Sequence, residues 1–302
     1  MKKMTCLLIA FALLNGVITT AQLNKTGEGK TESIVVKKAE KLARGFKFTE
    51  GPAVDATGNV YFTDIPNHLI LIWTTDGHLD TFRVKSGRAN GLYFDKDENL
   101  LACEGGKGRI TSTSPGGDYT AIATEYNGER FNQPNDLWPD GKGGVYFTDP
   151  KYGSGDKELS QDGMHVYYIK PNRTSVIRVC DDLEKPNGVL GTPDGKILYV
   201  TDAQAGKTYQ YDIRKDGTLK NKTLFADLGC DGMTIDKAGN LYLTTRGKHA
   251  VDVFSPSGEL LESIEVPERP SNVCFGGEDR NYLYVTARTS LYRVELKTLG
   301  VD

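Results

Sequence analysis

The amino-acid sequence predicts an all-β fold, a six-bladed β-propeller, because one phrase recurs six times within its 302 residues. Each copy holds a polar residue, a short apolar run, a turn of the Asp/Gly type and a second apolar run rich in β-branched and aromatic residues. The copies span residues 50–64, 90–104, 135–149, 187–202, 231–245 and 272–287. Successive copies end 40 to 53 residues apart, which is typical of blades that each form a four-stranded antiparallel sheet.

The remaining strands are placed by their position in the repeat. Third strands are predicted at residues 164–169, 207–213, 250–254 and 290–295. The last repeat leaves no room for an outer strand, whereas residues 33–38, ahead of the first repeat, have a strand-like sequence. We therefore predict that the N-terminal strand joins the last blade and closes the ring, which removes an open sheet edge.

Residues 1–21 resemble a secretory signal peptide, with Lys2 and Lys3 followed by an apolar run at 7–14 and small residues up to Ala21. A membrane anchor is the alternative, but the run is well short of the roughly 20 residues that a spanning helix needs. We predict a flexible leader at 22–32 and a single propeller domain at 33–302. The mature chain is expected to be exported, periplasmic or extracellular, without a membrane span.

The charge distribution bears on the possible binding partners, and the cysteine content bears on possible disulfides. The formal net charge is −3, and lysine and arginine are scattered without a basic stripe, which argues against a nucleic-acid partner. After the signal peptide, four cysteines remain, each in a different repeat: Cys103, Cys180, Cys230 and Cys274. Disulfides could form in an exported chain, but three of the four lie in or beside apolar runs, which favours buried free thiols.

The first residue of each copy is expected on one ring around the central channel, because the inner strands of a propeller face a common axis. The six residues are Glu50, Asn90, Asn135, Asn187, Asp231 and Asn272. Carboxylate and amide oxygens suit Ca²⁺, while Zn²⁺, Mn²⁺ and Mg²⁺ are further candidates. None of the four histidines falls on the ring, which disfavours zinc. Alternatively, these polar residues only line a water-filled channel.

Other polar residues are predicted at the same face of the disc. Acidic residues end four of the second strands: Asp64, Glu104, Asp149 and Asp202. Arg130 and Asn132 precede the third ring residue and could donate hydrogen bonds to substrate hydroxyls, although a solvated arginine is the simpler interpretation. Tyr152 and the Asn67-His68 pair follow second strands at the rim. The insertion at 153–158 forms either part of a lid or an idle exposed loop.

Five motifs together resemble the gluconolactonase and regucalcin family over nearly all of the mature chain. They are Glu50-Gly51-Pro52, Arg130-Phe131-Asn132-Gln133-Pro134-Asn135-Asp136, Tyr146-Phe147-Thr148-Asp149-Pro150-Lys151-Tyr152-Gly153, Lys185-Pro186-Asn187-Gly188 and Asp231-Gly232-Met233. The resemblance implies a six-bladed propeller with one divalent ion, usually calcium, near the channel mouth. It further implies that Glu50, Asn135, Asn187 and Asp231 are the ligands. Lys151 stands where the commoner family form has a second proline, which concerns the substrate rather than the metal.

The favoured hypothesis is metal-assisted hydrolysis of a lactone, in particular a sugar-acid lactone of the gluconolactone type, in which the ion stabilises the oxyanion. The resemblance implies that Asp231 doubles as the catalytic base, and Glu104 and Asp149 are its reserves. The residues predicted to bind the small-molecule substrate are Arg130, Asn132, Asn90, Glu104, Asp149 and Tyr152.

Two other functions stay open. The fold and ring also resemble organophosphate hydrolases, and this resemblance implies that the same metal site could cleave an organophosphate or other ester, with the carboxylate of Asp231 attacking directly. A non-catalytic, calcium-dependent module could instead bind an exported glycan or a partner protein. Saturable ester cleavage that disappears with a chelator would exclude the binding module.

Overall fold

A computed structural model describes residues 32–153 and 158–301, and residues from 33 onward form one compact unit. The predicted signal peptide, almost all of the predicted leader and most of the 153–158 insertion lie outside the described residues. Six four-stranded antiparallel sheets form a ring, which confirms the predicted six-bladed propeller.

The described chain is built almost entirely of strands. The first nine are β1 (Val35–Arg44), β2 (Thr49–Val54), β3 (Val60–Asp64), β4 (Leu69–Trp73), β5 (Leu79–Val84), β6 (Ala89–Phe94), β7 (Leu100–Glu104), β8 (Arg109–Thr113) and β9 (Tyr119–Ala123). The next eight are β10 (Glu125–Tyr126), β11 (Glu129–Arg130), β12 (Leu137–Pro139), β13 (Val145–Asp149), β14 (His165–Ile169), β15 (Val176–Cys180), β16 (Pro186–Gly191) and β17 (Ile197–Asp202). The last nine are β18 (Lys207–Ile213), β19 (Leu219–Ala226), β20 (Met233–Ile235), β21 (Leu241–Thr244), β22 (Ala250–Phe254), β23 (Leu260–Glu265), β24 (Pro270–Gly276), β25 (Tyr282–Ala287) and β26 (Ser290–Leu296). A short 3₁₀ helix, Ile65–Asn67, follows β3.

Each blade runs outward from the channel in chain order. The sheets are β2-β3-β4-β5, β6-β7-β8-β9, β12-β13-β14-β15, β16-β17-β18-β19, β20-β21-β22-β23 and β24-β25-β26-β1. The innermost strands contact one another in a closed cycle, from β2 through β6, β12, β16, β20 and β24 back to β2. β1 pairs antiparallel with β26, so the predicted closure by the N-terminal strand is confirmed.

The turn between the first and second strand explains why the repeat is so regular. In four blades an aspartate opens this turn and accepts hydrogen bonds from the backbone N–H groups two and four residues later: Asp55, Asp95, Asp140 and Asp236. Such Asx turns fix the hairpin locally. The flanking strands bury nearly all their residues, as in the fully buried β13.

The core lies between neighbouring blades rather than at the axis. Its largest cluster packs aromatic residues of blades three and four, including Trp138, Tyr146, Tyr168 and Tyr199, against aliphatic side chains. The four cysteines at 103, 180, 230 and 274 are buried and free, which confirms the prediction. Within the described residues, no helix has the length and apolar character to cross a membrane.

Candidate active site

The inner strands reach the channel through a bulge. In four blades the first strand carries an extra residue relative to its partner, between Glu50 and Ala53, Ala89 and Leu92, Pro186 and Val189, and Pro270 and Asn272. A bulge re-aims side chains, so that two successive residues can reach the axis. The channel is therefore lined by two stacked rings instead of the one predicted.

The upper ring consists of Glu50, Asn90, Asn135, Asn187, Asp231 and Ser271. The lower ring, one residue further along each strand, consists of Gly51, Gly91, Asp136, Gly188, Gly232 and Asn272. Backbone hydrogen bonds define this alignment: the N–H groups of Asp136, Gly232 and Asn272 each donate to the hydroxyl of the threonine opposite, at 3.1–3.2 Å. The prediction that Asn272 lies on the same ring as the other five residues is therefore wrong.

The error has a simple structural cause. In blade six the ladder between the lower ring and the turn has four pairs, covering Val273 to Gly276. In blade five it has three, covering Met233 to Ile235. The same number of residues counted back from the turn therefore reaches the upper ring in blade five but the lower ring in blade six. The upper-ring residue of blade six is Ser271. The Ser271 hydroxyl donates to the Thr49 carbonyl at 2.7 Å and ties blade six to blade one.

Asp136 and Asn272 fill the channel at the lower ring. The Asn272 side chain hydrogen-bonds both Glu50 and Asp136. Glycines opposite make room for them: a Cβ at Gly91 would lie 2.5 Å from an Asp136 oxygen, and one at Gly232 would lie 1.9 Å from Asn272 Oδ1. This plug separates a cavity of about 720 Å³ at the upper ring from one of about 250 Å³ beyond the lower ring.

The upper-ring cavity is the candidate active site. Its floor contains Glu50, Asn90, Asn135 and Asp231. Asn187 completes the floor, because its Nδ2 donates at 2.6 Å both to Asp231 Oδ1 and to the hydroxyl of Tyr152. The structure thus brings together the four residues predicted to hold a metal.

Buried negative charge distinguishes this floor. Burial, and then repulsion from Asp231, raise the pKa of Glu50 well above its ordinary value. Burial likewise raises the pKa of Asp136, just below, to about 7. Carboxylates held this close and out of water are stabilised by a cation.

The donor groups fit a hard divalent cation. Two carboxylates and two amides offer oxygen without sulfur or imidazole, which suits Ca²⁺. Asn90 Oδ1 is buried without a hydrogen-bond partner among the described residues, so an acceptor is available beside the floor. Asn187 turns its NH₂ group towards Asp231, and rotation of that amide would present its oxygen instead. The Tyr152 hydroxyl can follow this rotation, because it can donate as well as accept.

Comparison with known proteins places the chain. A family model described as the SMP-30/Gluconolactonase/LRE-like region matches residues 48–289, a span that contains both rings. The chain belongs to this family. A gluconolactonase of Zymomonas mobilis is 32% identical, and the alignment covers 86% of this chain and 82% of that protein.

Solved structures of the SMP-30/gluconolactonase family and its neighbours share the fold. A gluconolactonase from Xanthomonas campestris superposes with a TM-score of 0.80 at 28% identity, covering 85% of this chain and 89% of that one. Regucalcin from Agrobacterium tumefaciens, a calcium-binding protein, superposes with a TM-score of 0.73 over 88% of this chain and 95% of that one. Its identity is 18%, so this likeness shows the fold alone.

The predicted substrate-binding residues divide into two groups. Arg130, Asn132, Asn90 and Tyr152 line the cavity. The amide of Asn132 is committed elsewhere: it donates to the carbonyls of Asp149 and Gly163 and accepts from the N–H groups of residues 160 and 161. Asn132 therefore holds the loop that carries Tyr152 in place.

Glu104 and Asp149 lie outside the cavity, contrary to the prediction. Glu104 is buried and faces the outer strands of its own blade, where it binds Arg109 at 2.8 Å and the hydroxyl of Tyr119. Asp149 is fully buried and accepts 2.8 Å hydrogen bonds from the backbone N–H groups of residues 132 and 133. Burial raises the pKa of Asp149 to about 7. Of the predicted rim pair, Asn67 donates to Asp64 at 2.7 Å, and His68 lines a separate surface pocket.

Sequence reasoning missed the cations of the cavity, Arg88, Arg246 and Arg269. Arg88 and Arg269 each stand two residues before an upper-ring residue, Asn90 and Ser271, and immediately precede the inner strands β6 and β24. Arg246 stands two residues after the end of the second strand of blade five, as Lys151 does in blade three. Both signals are present in the repeat once the upper ring is correctly aligned.

Proposed function

We propose that this protein is a lactone hydrolase that depends on a divalent cation, calcium, and that opens a sugar-acid lactone of the gluconolactone type. The observation that carries the proposal is the convergence of Glu50, Asn135, Asn187 and Asp231 at the floor of a cavity of about 720 Å³. The gluconolactonases of Zymomonas mobilis and Xanthomonas campestris, to which the chain is similar, support the choice of substrate.

Glu50, Asn135, Asn187 and Asp231 would hold the cation, which when bound supplies positive charge to a polarised ester carbonyl. Asp231 is placed to act as the general base, because its side chain is about one-eighth exposed and faces the cavity. In this role it takes a proton from the attacking water, and the proton then passes to the leaving ring oxygen. Arg246 and Arg269 approach its two oxygens at 3.7 and 3.6 Å and orient the carboxylate.

Tyr152 is anchored beside the floor by hydrogen bonds of its backbone and of its hydroxyl. The Tyr152 backbone N–H donates to Gln133 Oε1 at 2.8 Å, and its hydroxyl accepts from Asn187. Burial, and then the charge of Asp231, raise the pKa of Tyr152 above its ordinary value, so the phenol stays protonated and can donate to a substrate oxygen. Asn90 Oδ1 and Arg130 supply an acceptor and a donor for sugar hydroxyls at the cavity wall.

Proton release from a panel of sugar γ- and δ-lactones tests the proposal, using the purified protein as isolated, after a chelator and after calcium is returned. We expect hydrolysis that disappears with the chelator and returns with calcium. Hydrolysis that is unaffected by removal of the metal would contradict the metal dependence. Silence across the panel, with calcium bound tightly, would contradict the lactonase activity itself.

We also propose export of the mature chain, which rests on Lys2 and Lys3, the apolar run at 7–14 and the small residues ending at Ala21. Sequencing the N-terminus of protein recovered from outside the cytoplasm would test it. The expected N-terminus is Gln22, whereas a cytoplasmic chain that keeps Met1 would contradict export.

A further inference from the structure

The wall of the upper-ring cavity carries a marked excess of positive charge. Among the described residues that line the cavity, five are cationic: Arg88, Arg130, Lys151, Arg246 and Arg269. Only Glu50 and Asp231 are anionic. A divalent cation at the floor would use both of those carboxylates, and without one they neutralise at most two of the five positive charges. The excess therefore persists in either state.

Nearby carboxylates do not remove this excess. Asp149 lies behind Arg130 and is already hydrogen-bonded to two backbone N–H groups. Glu104 is paired with Arg109 at 2.8 Å and with Arg83 at 3.5 Å, and neither of these arginines lines the cavity. Glu268, next to Arg269 in the chain, is bound by Lys41 at 2.9 Å.

Two arginines of the cavity lie just beyond hydrogen-bonding distance of the Asp231 carboxylate. The Arg246 guanidinium is anchored by a 2.7 Å hydrogen bond from Nη1 to the Ala203 carbonyl, while its Nη2 stops 3.7 Å from Asp231 Oδ1. Arg269 Nη2 stops 3.6 Å from Oδ2 of the same carboxylate. Both separations exceed a hydrogen bond. Both side chains are roughly a third exposed and line the cavity.

We propose, on the basis of the proposed lactonase function, that the substrate is a lactone bearing an anionic group, and that Arg246 and Arg269, with Arg88, bind that group. A guanidinium presents paired N–H donors that match the oxygens of a carboxylate or a phosphate. A neutral sugar lactone would leave several cations of the cavity without a counter-charge. The group recognised is therefore a carboxylate or a phosphate carried by the lactone in addition to its ester.

Matched substrates separate charge from shape. D-Glucono-1,4-lactone and D-glucaro-1,4-lactone share the ring and differ only in a terminal hydroxymethyl or carboxylate group, and 6-phospho-D-glucono-1,5-lactone beside its unphosphorylated parent tests phosphate. We expect kcat/KM to favour an anionic member by at least about tenfold, since a hydrogen bond to a charged group contributes that much or more. The preferred anionic member identifies the oxyanion.

The variant for this test is Arg246→Gln combined with Arg269→Gln. The readout is the ratio of kcat/KM for the anionic lactone to that for its neutral partner, because any effect on Asp231 cancels in this ratio. We expect the ratio to fall at least about tenfold, mainly through KM. Arg214→Gln, a change in the exposed turn between β18 and β19, is the matched control and should leave the ratio unaltered. A wild-type ratio of one or less, or a ratio unaltered in the double variant, would overturn the inference.

Calorimetric binding of the ring-opened products, D-glucarate, 6-phospho-D-gluconate and D-gluconate, separates this inference from the proposed function. If neither lactone is hydrolysed but glucarate or the phosphate binds at least about tenfold more tightly than gluconate, and only when both arginines are present, the anion site stands and the lactonase activity fails. If both lactones are hydrolysed without preference, the activity stands and the anion site fails. If none of the three products binds and no lactone is hydrolysed, the anion site and the lactonase activity are both overturned.

Discussion

Asp231 and Asp149 are two aspartates at the same face of the disc, yet their carboxylates have different partners. Asp149 is fully buried and accepts hydrogen bonds from two backbone N–H groups at 2.8 Å. Asp231 keeps about one-eighth of its side chain exposed, and among the described residues its carboxylate has side chains as partners: Asn187, Arg246 and Arg269. Asp149 fixes the backbone of residues 132 and 133, whereas the Asp231 carboxylate can contact a ligand in the cavity.

The same division holds around the propeller. The aspartates that end second strands each bind two successive N–H groups of the loop entering their own blade: Asp64, Asp149 and Asp202. These loops carry Phe48 and Gln133 to the wall of the cavity. These three aspartates therefore position loops of the blades without lining the cavity themselves.

The largest expected effect is on catalysis at Asp231. Asp231→Asn removes the base but keeps an oxygen that can accept from Asn187, so the fold should be retained. We expect kcat to fall by a factor of about 10² to 10⁴, with a change in the free energy of unfolding below about 1 kcal/mol. Lactone hydrolysis and urea unfolding measure the two quantities. Asp149→Asn is the matched control, and an equal loss of kcat there would break the distinction between the two aspartates.

The reverse pattern is expected at Asp149. Asp149→Ala leaves the buried N–H groups of Asn132 and Gln133 without an acceptor, at about 1–3 kcal/mol for each group. We therefore expect the free energy of unfolding to fall by roughly 2–5 kcal/mol, measured by urea denaturation at pH 7. Asp149→Asn should cost less, because it keeps one acceptor oxygen. A loss below about 1 kcal/mol in the alanine variant would contradict the structural role.

The fold could be predicted because its signal is local and repeated. The aspartates that open the hairpin turns, at 55, 95, 140 and 236, bind their own backbone within four residues. The N-terminal strand was predictable from its strand-like sequence and from the incomplete last blade. Four ring residues, Glu50, Asn90, Asn135 and Asp231, also followed from the repeat, since each stands five residues before the aspartate that opens the turn.

The remainder of the site depends on contacts that no single repeat contains. The extra ladder pair of blade six, which moves Asn272 into the lower ring, is visible only in the pairing of β24 with β25. In the sequence, Asp136 is only the second residue of an Asn-Asp pair. Its position in the channel depends on Gly91 of the neighbouring blade, which leaves space for its side chain. The sequence predicts Glu104 and Asp149 at the cavity, because their true partners are not visible in a single repeat segment. These partners come from other strands and loops of their blades.

Threonines link the backbone to the ring and provide a smaller test. Thr148 Oγ1 donates to the Asn187 carbonyl of the next blade at 2.6 Å, and Thr63 Oγ1 donates likewise to Asn90 at 3.1 Å. Thr148→Val and Thr63→Val should each lower the free energy of unfolding by about 1–2 kcal/mol. Only Thr148→Val should also weaken calcium binding, because Asn187 is a proposed ligand and Asn90 is not. Calorimetric titration with calcium separates them, and equal weakening in both variants would contradict the assigned ligand set.

Blade six offers the smallest effect, because its second strand ends in Ala287 rather than in an acid. Here Glu268 accepts hydrogen bonds from Ser290 at 2.7 Å and from Lys41 and Tyr292 at 2.9 Å. Burial opposes ionisation, but these bonds outweigh it and lower the pKa of Glu268 to about 2 from an ordinary 4.5. The folded state therefore binds the proton less readily than the unfolded state, and the stabilisation is complete above pH 4.5 and is lost as the pH falls towards 2.

Glu268→Gln removes this titration while keeping an acceptor oxygen. We expect the free energy of unfolding of the variant to change less than that of the parent between pH 4.5 and 2, with a loss at pH 7 below about 1 kcal/mol because the side chain is partly exposed. Ser290→Ala removes one donor and should shift the acid limb part of the way. Urea unfolding across this pH range measures both. If the free energy of unfolding depends on pH in the same way in the parent and in Glu268→Gln, the charge of Glu268 does not stabilise blade six. The contrast between acids that bind backbone, such as Asp149, and acids that face the cavity, such as Asp231, would then hold only in the other blades.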